Sequence, residues 1–215
     1  NQYCGVSQCE YNGVNYYYSQ KAKRIVCGNK EYFIALADSN KKIVIHEWGI
    51  PITKGSIFDG FKKETVIDVS NMPHYSTFTS DSIWLSLDEG NVYITNGGIN
   101  LLSGATTYYY KIDLSNYSVT EHSFINSLPS TISGLMTICC GVITVAGGRT
   151  AYFFDQTSGA HLKTFDYGVN SNQMMVGNMG NGLIRISNLD SSIGDVIYDR
   201  INDTVYPNNG YIPYR

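Results

Sequence analysis

Three groups of residues in this chain have types and spacings that could do chemistry. The first is carboxylate. Asp38, Asp88 and Glu89 lie among turn residues, and Glu47 lies in an apolar run. A pair of carboxylates flanking one bond is what glycoside hydrolysis requires, one as acid and one as nucleophile or base. These carboxylates read instead as hairpin-turn residues. The second group is His46-Glu47-Trp48, a histidine beside a carboxylate. Neighbours on a strand face opposite ways, so the pair is not expected to touch. His74, His122 and His161 fall in unrelated contexts. The third group is five cysteines: Cys4, Cys9, Cys27, Cys139 and Cys140. An odd count leaves at least one thiol unpaired within the chain. Cys4 and Cys9 could close a small loop, with Cys27 a competing partner. Cys139 and Cys140 adjoin inside an apolar strand, Leu135 to Val145, and are expected to point apart. No pair has CxxC spacing, so neither a metal site nor a cofactor is expected. There is no GxSxG or HExxH motif, and Gly177-Asn178-Met179-Gly180-Asn181-Gly182 reads as a hairpin turn. The expectation is a protein without catalytic residues.

Binding is better provided for. The chain holds 18 Tyr, each with an apolar body and a polar tip suited to strands and to recognition. The candidate binding residues are Tyr16, Tyr18, Trp48, Trp84, Tyr108 and Tyr110, with Met174-Met175 beside them.

Strands must position these groups. Ile83 to Leu87 turns at Asp88-Glu89-Gly90 into Asn91 to Thr95, which ends at Asn96-Gly97-Gly98. A loop with Ser103-Gly104 leads to Thr106 to Ile112, and Val119 to Phe124 follows. That is four short β-rich runs separated by turn residues, the content of one antiparallel sheet. Leu135 to Tyr167 repeats the order around Gly147-Gly148, and Met174 to Tyr206 repeats it again. Upstream, Tyr32 to Ala37, Ile43 to Glu47 and Thr65 to Asp68 make a further unit. Tyr16-Tyr17-Tyr18 marks a first, irregular one. An apolar residue followed by Asp recurs at Ile67-Asp68, Ile112-Asp113, Phe154-Asp155 and Tyr198-Asp199, in steps of 45, 42 and 44 residues. A period in the low forties in an all-β sequence predicts a β-propeller. About five four-stranded antiparallel blades are expected, in a single domain spanning residues 1–215, with a β-barrel or sandwich projection domain as the alternative. Ring closure would place Val14 to Tyr18 beside the segment near Tyr211.

Bulk composition excludes some partners. Charged residues make up 15% of the 215, and the net charge is −3. Nucleic acid normally requires a basic patch, so it is not an expected partner. Lys21-Ala22-Lys23-Arg24, Lys41-Lys42 and Lys62-Lys63 read as solvated turn charges. No apolar run of about 18 residues occurs, so no membrane insertion is expected. The chain starts at Asn1 and its first Met is Met72, as expected of a processed or excised piece. Asn116-Tyr117-Ser118 and Asn202-Asp203-Thr204 fit the N-glycosylation pattern, which matters in a secreted protein.

Gly97-Gly98, Tyr110, Ile112-Asp113 and Phe124, then Gly147-Gly148, Phe154-Asp155 and Phe165, resemble kelch-like repeats. Tyr198-Asp199 and Tyr206 give a third, partial copy, and the kelch Trp is absent from all three. The resemblance implies structural glycines and aromatics with function in the loops. Two functions follow as expectations. One is a recognition or attachment domain, extracellular or on a virion surface, that binds a cell-surface receptor or glycan. The other is a cytoplasmic kelch-type scaffold for a protein partner. A propeller glycosidase is the enzyme alternative.

Overall fold

The computed structural model of the chain describes residues 8–17, 22–49, 60–96, 99–101, 104–125, 128, 132–171, 174–188 and 194–208. These residues are β-strands and turns, with two single-turn 3₁₀ helices at Tyr75–Thr77 and Ser80–Ser82. None of their helices is long and apolar enough to cross a membrane. A two-stranded hairpin comes first, β1 (Gln8–Tyr11) and β2 (Val14–Tyr17). Sheet one is β3 (Ala22–Cys27), β4 (Lys30–Ala37), β5 (Lys42–Gly49) and β6 (Gly60–Asp68), in that spatial order. Sheet two is β7 (Ile83–Asp88), β8 (Asn91–Asn96), β10 (Thr106–Asp113) and β11 (Val119–Ile125). Between β8 and β10 the chain forms β9 (Ile99–Leu101), which pairs with β12 (Ile132–Cys139) of sheet three. β13 (Val142–Asp155) and β14 (His161–Ser171) complete that sheet. Sheet four is β15 (Met174–Gly180), β16 (Leu183–Asn188), β17 (Asp195–Asp199) and β18 (Thr204–Asn208). Every pairing is antiparallel.

The strand period of two explains the core. On β10, Tyr110 and Ile112 face sheet one, while Tyr109 faces sheet three. On β8, Val92 and Ile94 take the first face and Tyr93 the second. On β13, Ile143, Val145 and Phe154 pack toward sheet two, while Val142, Ala146 and Phe153 pack toward sheet four. Successive sheets thus share three apolar seams, and the middle two are buried on both faces. Sheet one also has a second buried face, where Phe33, Ala35, Ala37 and Val44 pack with Tyr11 of the first hairpin and with Trp48.

The inner strands decide how the sheets are arranged. β7 lies against β12, β12 against β15, and β3 against β7. β7 also approaches β15 within 8 Å, although sheet three lies between their sheets. Flatly stacked sheets would hold those strands about 20 Å apart, at roughly 10 Å per layer. The sheets therefore fan out from a common edge.

β13 is a hairpin within one strand. The Gln156 N–H donates to the Gly141 carbonyl at 2.9 Å, whereas a straight strand of 14 residues would part its ends by about 45 Å. The reversal falls at Gly147-Gly148, where Gly148 has φ +60°. The double glycine is thus a turn in the backbone; Gly97-Gly98 lies outside the described residues.

The recurrent aspartates cap turns. Asp113 Oδ1 accepts the Ser115 N–H at 2.8 Å and the Ser115 hydroxyl at 2.6 Å. Asp155 Oδ1 accepts the N–H groups of Thr157 and Ser158, and Asp199 Oδ1 those of Ile201 and Asn202. Four residues beyond each Asp the backbone turns left-handed, at Tyr117, Gly159 and Asp203. The residue after each Asp bonds back to a hairpin turn: Leu114 to Gly90, Gln156 to Gly141, and Arg200 to Gly182. Asp68 makes the same local cap with Ser70. It ends the fourth strand of its sheet, however, whereas Asp113 and Asp199 end the third strands of theirs. Its neighbouring turn lies at the other end of the sheets, where Asn40 donates to the Phe78 carbonyl at 2.6 Å. The first step of the repeat is therefore turn chemistry recurring, offset by one strand.

Three expectations change. Four sheets and the β1–β2 hairpin of the Tyr16 segment are present among the described residues, where five sheets were expected. Lys23 and Arg24 are strand residues of β3, which alternates its faces so that Ile25 and Cys27 join the core. β9, three residues inside a stretch that reads as a loop, leaves its own sheet for the next. The expected seam near Tyr211 lies outside the described residues.

Candidate functional site

Three hairpin turns end the inner strands of sheets two, three and four. They are Glu89-Gly90 (φ 47° and 78°), Cys140-Gly141 (58° and 72°) and Asn181-Gly182 (52° and 77°). Two successive positive φ values make a type I′ turn, whose twist matches that of the strands it joins. Asn, Asp or Gly is the usual first residue, so Asn181 is ordinary there and Cys140 is not.

Side chains bring these turns together. The Cys140 N–H donates to Asp88 Oδ2 at 2.7 Å. The Asn178 amide donates to the Leu87 carbonyl at 3.0 Å and to Asp88 Oδ1 at 3.4 Å. Its oxygen accepts the Gly180 N–H at 2.7 Å and the Cys140 thiol at 3.4 Å. Deeper in the same seam the Ile138 N–H donates to Ser86 Oγ at 3.1 Å, and the Thr95 hydroxyl donates to the Met136 carbonyl at 2.9 Å. One backbone edge of β12 is thus paired by side chains of sheet two, which resolves the hydrogen-bonding demand of a buried strand edge.

Cys139 lies inside the apolar cluster between sheets three and four, and Cys140 packs against the same cluster. The left-handed backbone at Cys140 corrects the expectation that they point apart, because alternation holds only along an extended strand. Their hydrogen bond pushes the Cys139 thiol up, and burial adds to that. The same bond draws the Cys140 thiol down, against its partial burial and the nearby Asp88 charge. Cys139 is buried and Cys140 half-buried, while Glu89, Gly141, Asn178 and Asn181 are exposed. The surface these turns present is a polar one, with carboxylate and amide groups able to hydrogen-bond a ligand's hydroxyls.

A second polar cluster joins sheets one and two. Tyr117, at a left-handed position after β10, donates to Glu47 of β5, and Lys30 Nζ lies 2.8 Å from the other Glu47 oxygen. Lys63 sits 4.5 Å above the Tyr117 ring. Burial alone would raise the Glu47 carboxyl; hydrogen bonds from Lys30 and Tyr117 outweigh it and hold the group below its usual range. Burial and the bond to Glu47 push the Tyr117 phenol up.

The aromatic candidates within the described residues are spread over β2, β5, β7 and β10. Tyr16 lies on β2 opposite Cys9, and Tyr18 lies outside the described residues. Trp48 is half-buried on β5 at a bulge, packed on the Phe33 cluster. Trp84 is half-buried on β7 opposite Thr95. Tyr108 is stacked on His74 with ring centres 3.6 Å apart. Tyr110 has no exposed surface and stacks on Phe78 at 4.3 Å, so its ring serves the core between sheets one and two. The histidines are likewise separate. His46 lies 2.7 Å from Glu64 and His74 2.8 Å from Glu121, while His122 bonds Thr120 and His161 bonds Thr164. Cys27 is a free, half-buried thiol. Among the described residues no cluster of three or more His, Cys, Asp or Glu could hold a metal ion. Reading the sequence missed Asn178, Ser86 and the cluster that Cys139 and Cys140 share. The available signal was three strand ends each followed by a residue and a glycine, at Glu89-Gly90, Cys140-Gly141 and Asn181-Gly182.

No family model matches the chain, and no curated protein does. Among solved structures it is similar to Hsv2 of Kluyveromyces marxianus, with 8% identity and a TM-score of 0.43 over 82% of this chain and 46% of that one. It is also similar to Hsv2 of Kluyveromyces lactis, with 9% identity and a TM-score of 0.40 over 89% of this chain and 73% of that one. The chain spans a little under half the length of the first of these.

Proposed function

We propose that this chain is a kelch-like, propeller-type recognition domain without catalytic residues, which takes its ligand at the end where the inner-strand turns meet. The observation that carries the reading is the convergence of Asp88, Cys140 and Asn178 from three successive sheets. The approach of β7 to β15 across sheet three supports a ring-like order over a flat stack. In this reading residues 1–215 form one domain. Exposed Glu89 and Asn181, with Asn178 beside them, suit the hydroxyls of a glycan, and the target is a cell-surface glycan or glycosylated receptor met outside the cell or from a virion. The aromatic candidates Trp48, Trp84 and Tyr108 are half-buried, and Tyr108 stacks on His74 in the connection between β6 and β7.

A glycan array probed with the full chain tests this. Binding is expected, and Glu89→Ala and Asn181→Ala are each expected to weaken it about tenfold, the loss of one or two polar contacts. Binding that both substitutions leave unchanged removes the site. A second reading, an intracellular scaffold for a protein partner, is favoured by the three free thiols Cys27, Cys139 and Cys140, which suit a reducing compartment. Turnover of nitrophenyl glycosides, abolished by substituting Asp88 or Glu89, would instead make the chain a glycosidase.

A further inference from the structure

We propose that Cys139 and Cys140 form a reversible thiol-exchange site, in which Cys140 takes up a small-molecule disulfide and Cys139 resolves it into a vicinal disulfide. The inference goes beyond ligand binding and stands without it. Three observations meet here. Cys140 occupies the first position of a type I′ turn, with φ +58°. A residue other than Gly, Asn or Asp is strained there, and Glu89 is the only comparable case among the three inner-strand turns. Both side chains lie on the sheet-four side, Cys139 inside the apolar cluster there and Cys140 packed against it. Access is divided between them: Cys140 is half-exposed at the meeting of three turns, whereas Cys139 is buried behind it. An accessible thiol of lowered pKa beside a second thiol is the arrangement that exchanges with disulfides, and the hydrogen bond from Cys139 supports that character at Cys140.

The chemistry balances with a disulfide such as oxidised glutathione as the oxidant. The Cys140 thiolate attacks one sulfur, forming a Cys140–glutathione bond and releasing one glutathione thiolate, which takes up a proton. Cys139 then gives up its proton and attacks Cys140 Sγ, releasing the second glutathione and closing the vicinal bond. The two cysteines lose two hydrogens, and the oxidant becomes two thiols. Adjacent Cα atoms lie about 3.8 Å apart, below the 4.4–6.8 Å span of ordinary disulfides, so the product is strained and easily reduced. That favours a reversible site over a structural bond. Closure also draws the Cys140 sulfur away from Asn178, and so touches the contact between sheets three and four.

Trypsin releases Ile112 to Arg149 as one fragment, and Cys139 and Cys140 are its only cysteines. The full folded chain is treated with oxidised glutathione, blocked with an alkylating agent and digested. The expected wild-type fragment has lost two hydrogens and resists alkylation, and dithiothreitol restores both thiols. In Cys139→Ala the same fragment is expected to carry one glutathione at Cys140, with no further reaction; in Cys140→Ser it is expected to stay unmodified. A wild-type fragment that remains fully alkylatable, or that holds a persistent glutathione adduct, overturns the proposal. So does a vicinal bond that forms equally fast in urea, since the folded turn would then contribute nothing. The wild-type comparison keeps the test decisive if either variant fails to fold.

Discussion

Glu47 and Ser86 show how single side chains join neighbouring sheets. Ser86 is buried and accepts the Ile138 N–H across the seam between sheets two and three. Removing the hydroxyl leaves that N–H without its partner, and an unsatisfied buried group costs about 1–3 kcal/mol. Ser86→Ala is therefore expected to lower the urea midpoint, with the slope of the transition unchanged. Glu47 is held as a carboxylate by Lys30 and Tyr117. Its folded pKa is depressed, so its contribution is present in full above the unfolded value, about pH 4.3. That contribution is lost as pH falls through the folded value below it. Glu47→Gln should be less stable than wild type at pH 7, and the gap should shrink as the pH is lowered toward 2. Urea titrations at several pH values read this directly, and a gap that does not change with pH would refute the assignment.

At the scale of the element, close approach of backbone matters most at Gly134. It lies on β12, opposite Ile99 of β9. A Cβ there would run into the Ala146 carbonyl and the Gly147 Cα, both backbone atoms. Backbone cannot swing aside as a side-chain tip can, so Gly134→Ala must push β12 from β13. The expected cost is about 1–3 kcal/mol, as for overpacking in a core, read as a lowered Tm. Much of the element pattern is legible in sequence. The strands around Ile83, Asn91, Thr106 and Val119 appear where alternation and turn residues place them, because those signals are local. β9 and β3 are not legible in the same way. Ile99–Leu101 is too short to show a period, and its partner is more than thirty residues away. The basic residues before Ile25 read as a turn until β4 and β7 supply neighbours.

At the scale of the whole molecule, the shared seams bear on how the chain unfolds. Each of the three seams draws side chains from two sheets, and β9 ties sheet two to sheet three through backbone bonds. A one-domain ring predicts a single cooperative transition. Fluorescence of Trp48 and Trp84, in sheets one and two, should change at the same urea concentration as far-ultraviolet circular dichroism, which reports all sheets. Two separated midpoints would show that the sheets fold as independent units.

The strands of sheets two to four other than β9, the hairpin turns of their inner strands and the capping role of the recurrent Asp residues were determined by the sequence itself, because alternation and turn chemistry act over a few residues. Tertiary structure alone decided which strands share a sheet, that Asp68 is displaced by one strand from Asp113, and that Tyr110 belongs to the core. It also decided that Asp88, Cys140 and Asn178 meet, being 90 residues apart at their extremes. Such meetings depend on how faces pack and on the left-handed backbone at a turn, and neither is written in the spacing of residue types.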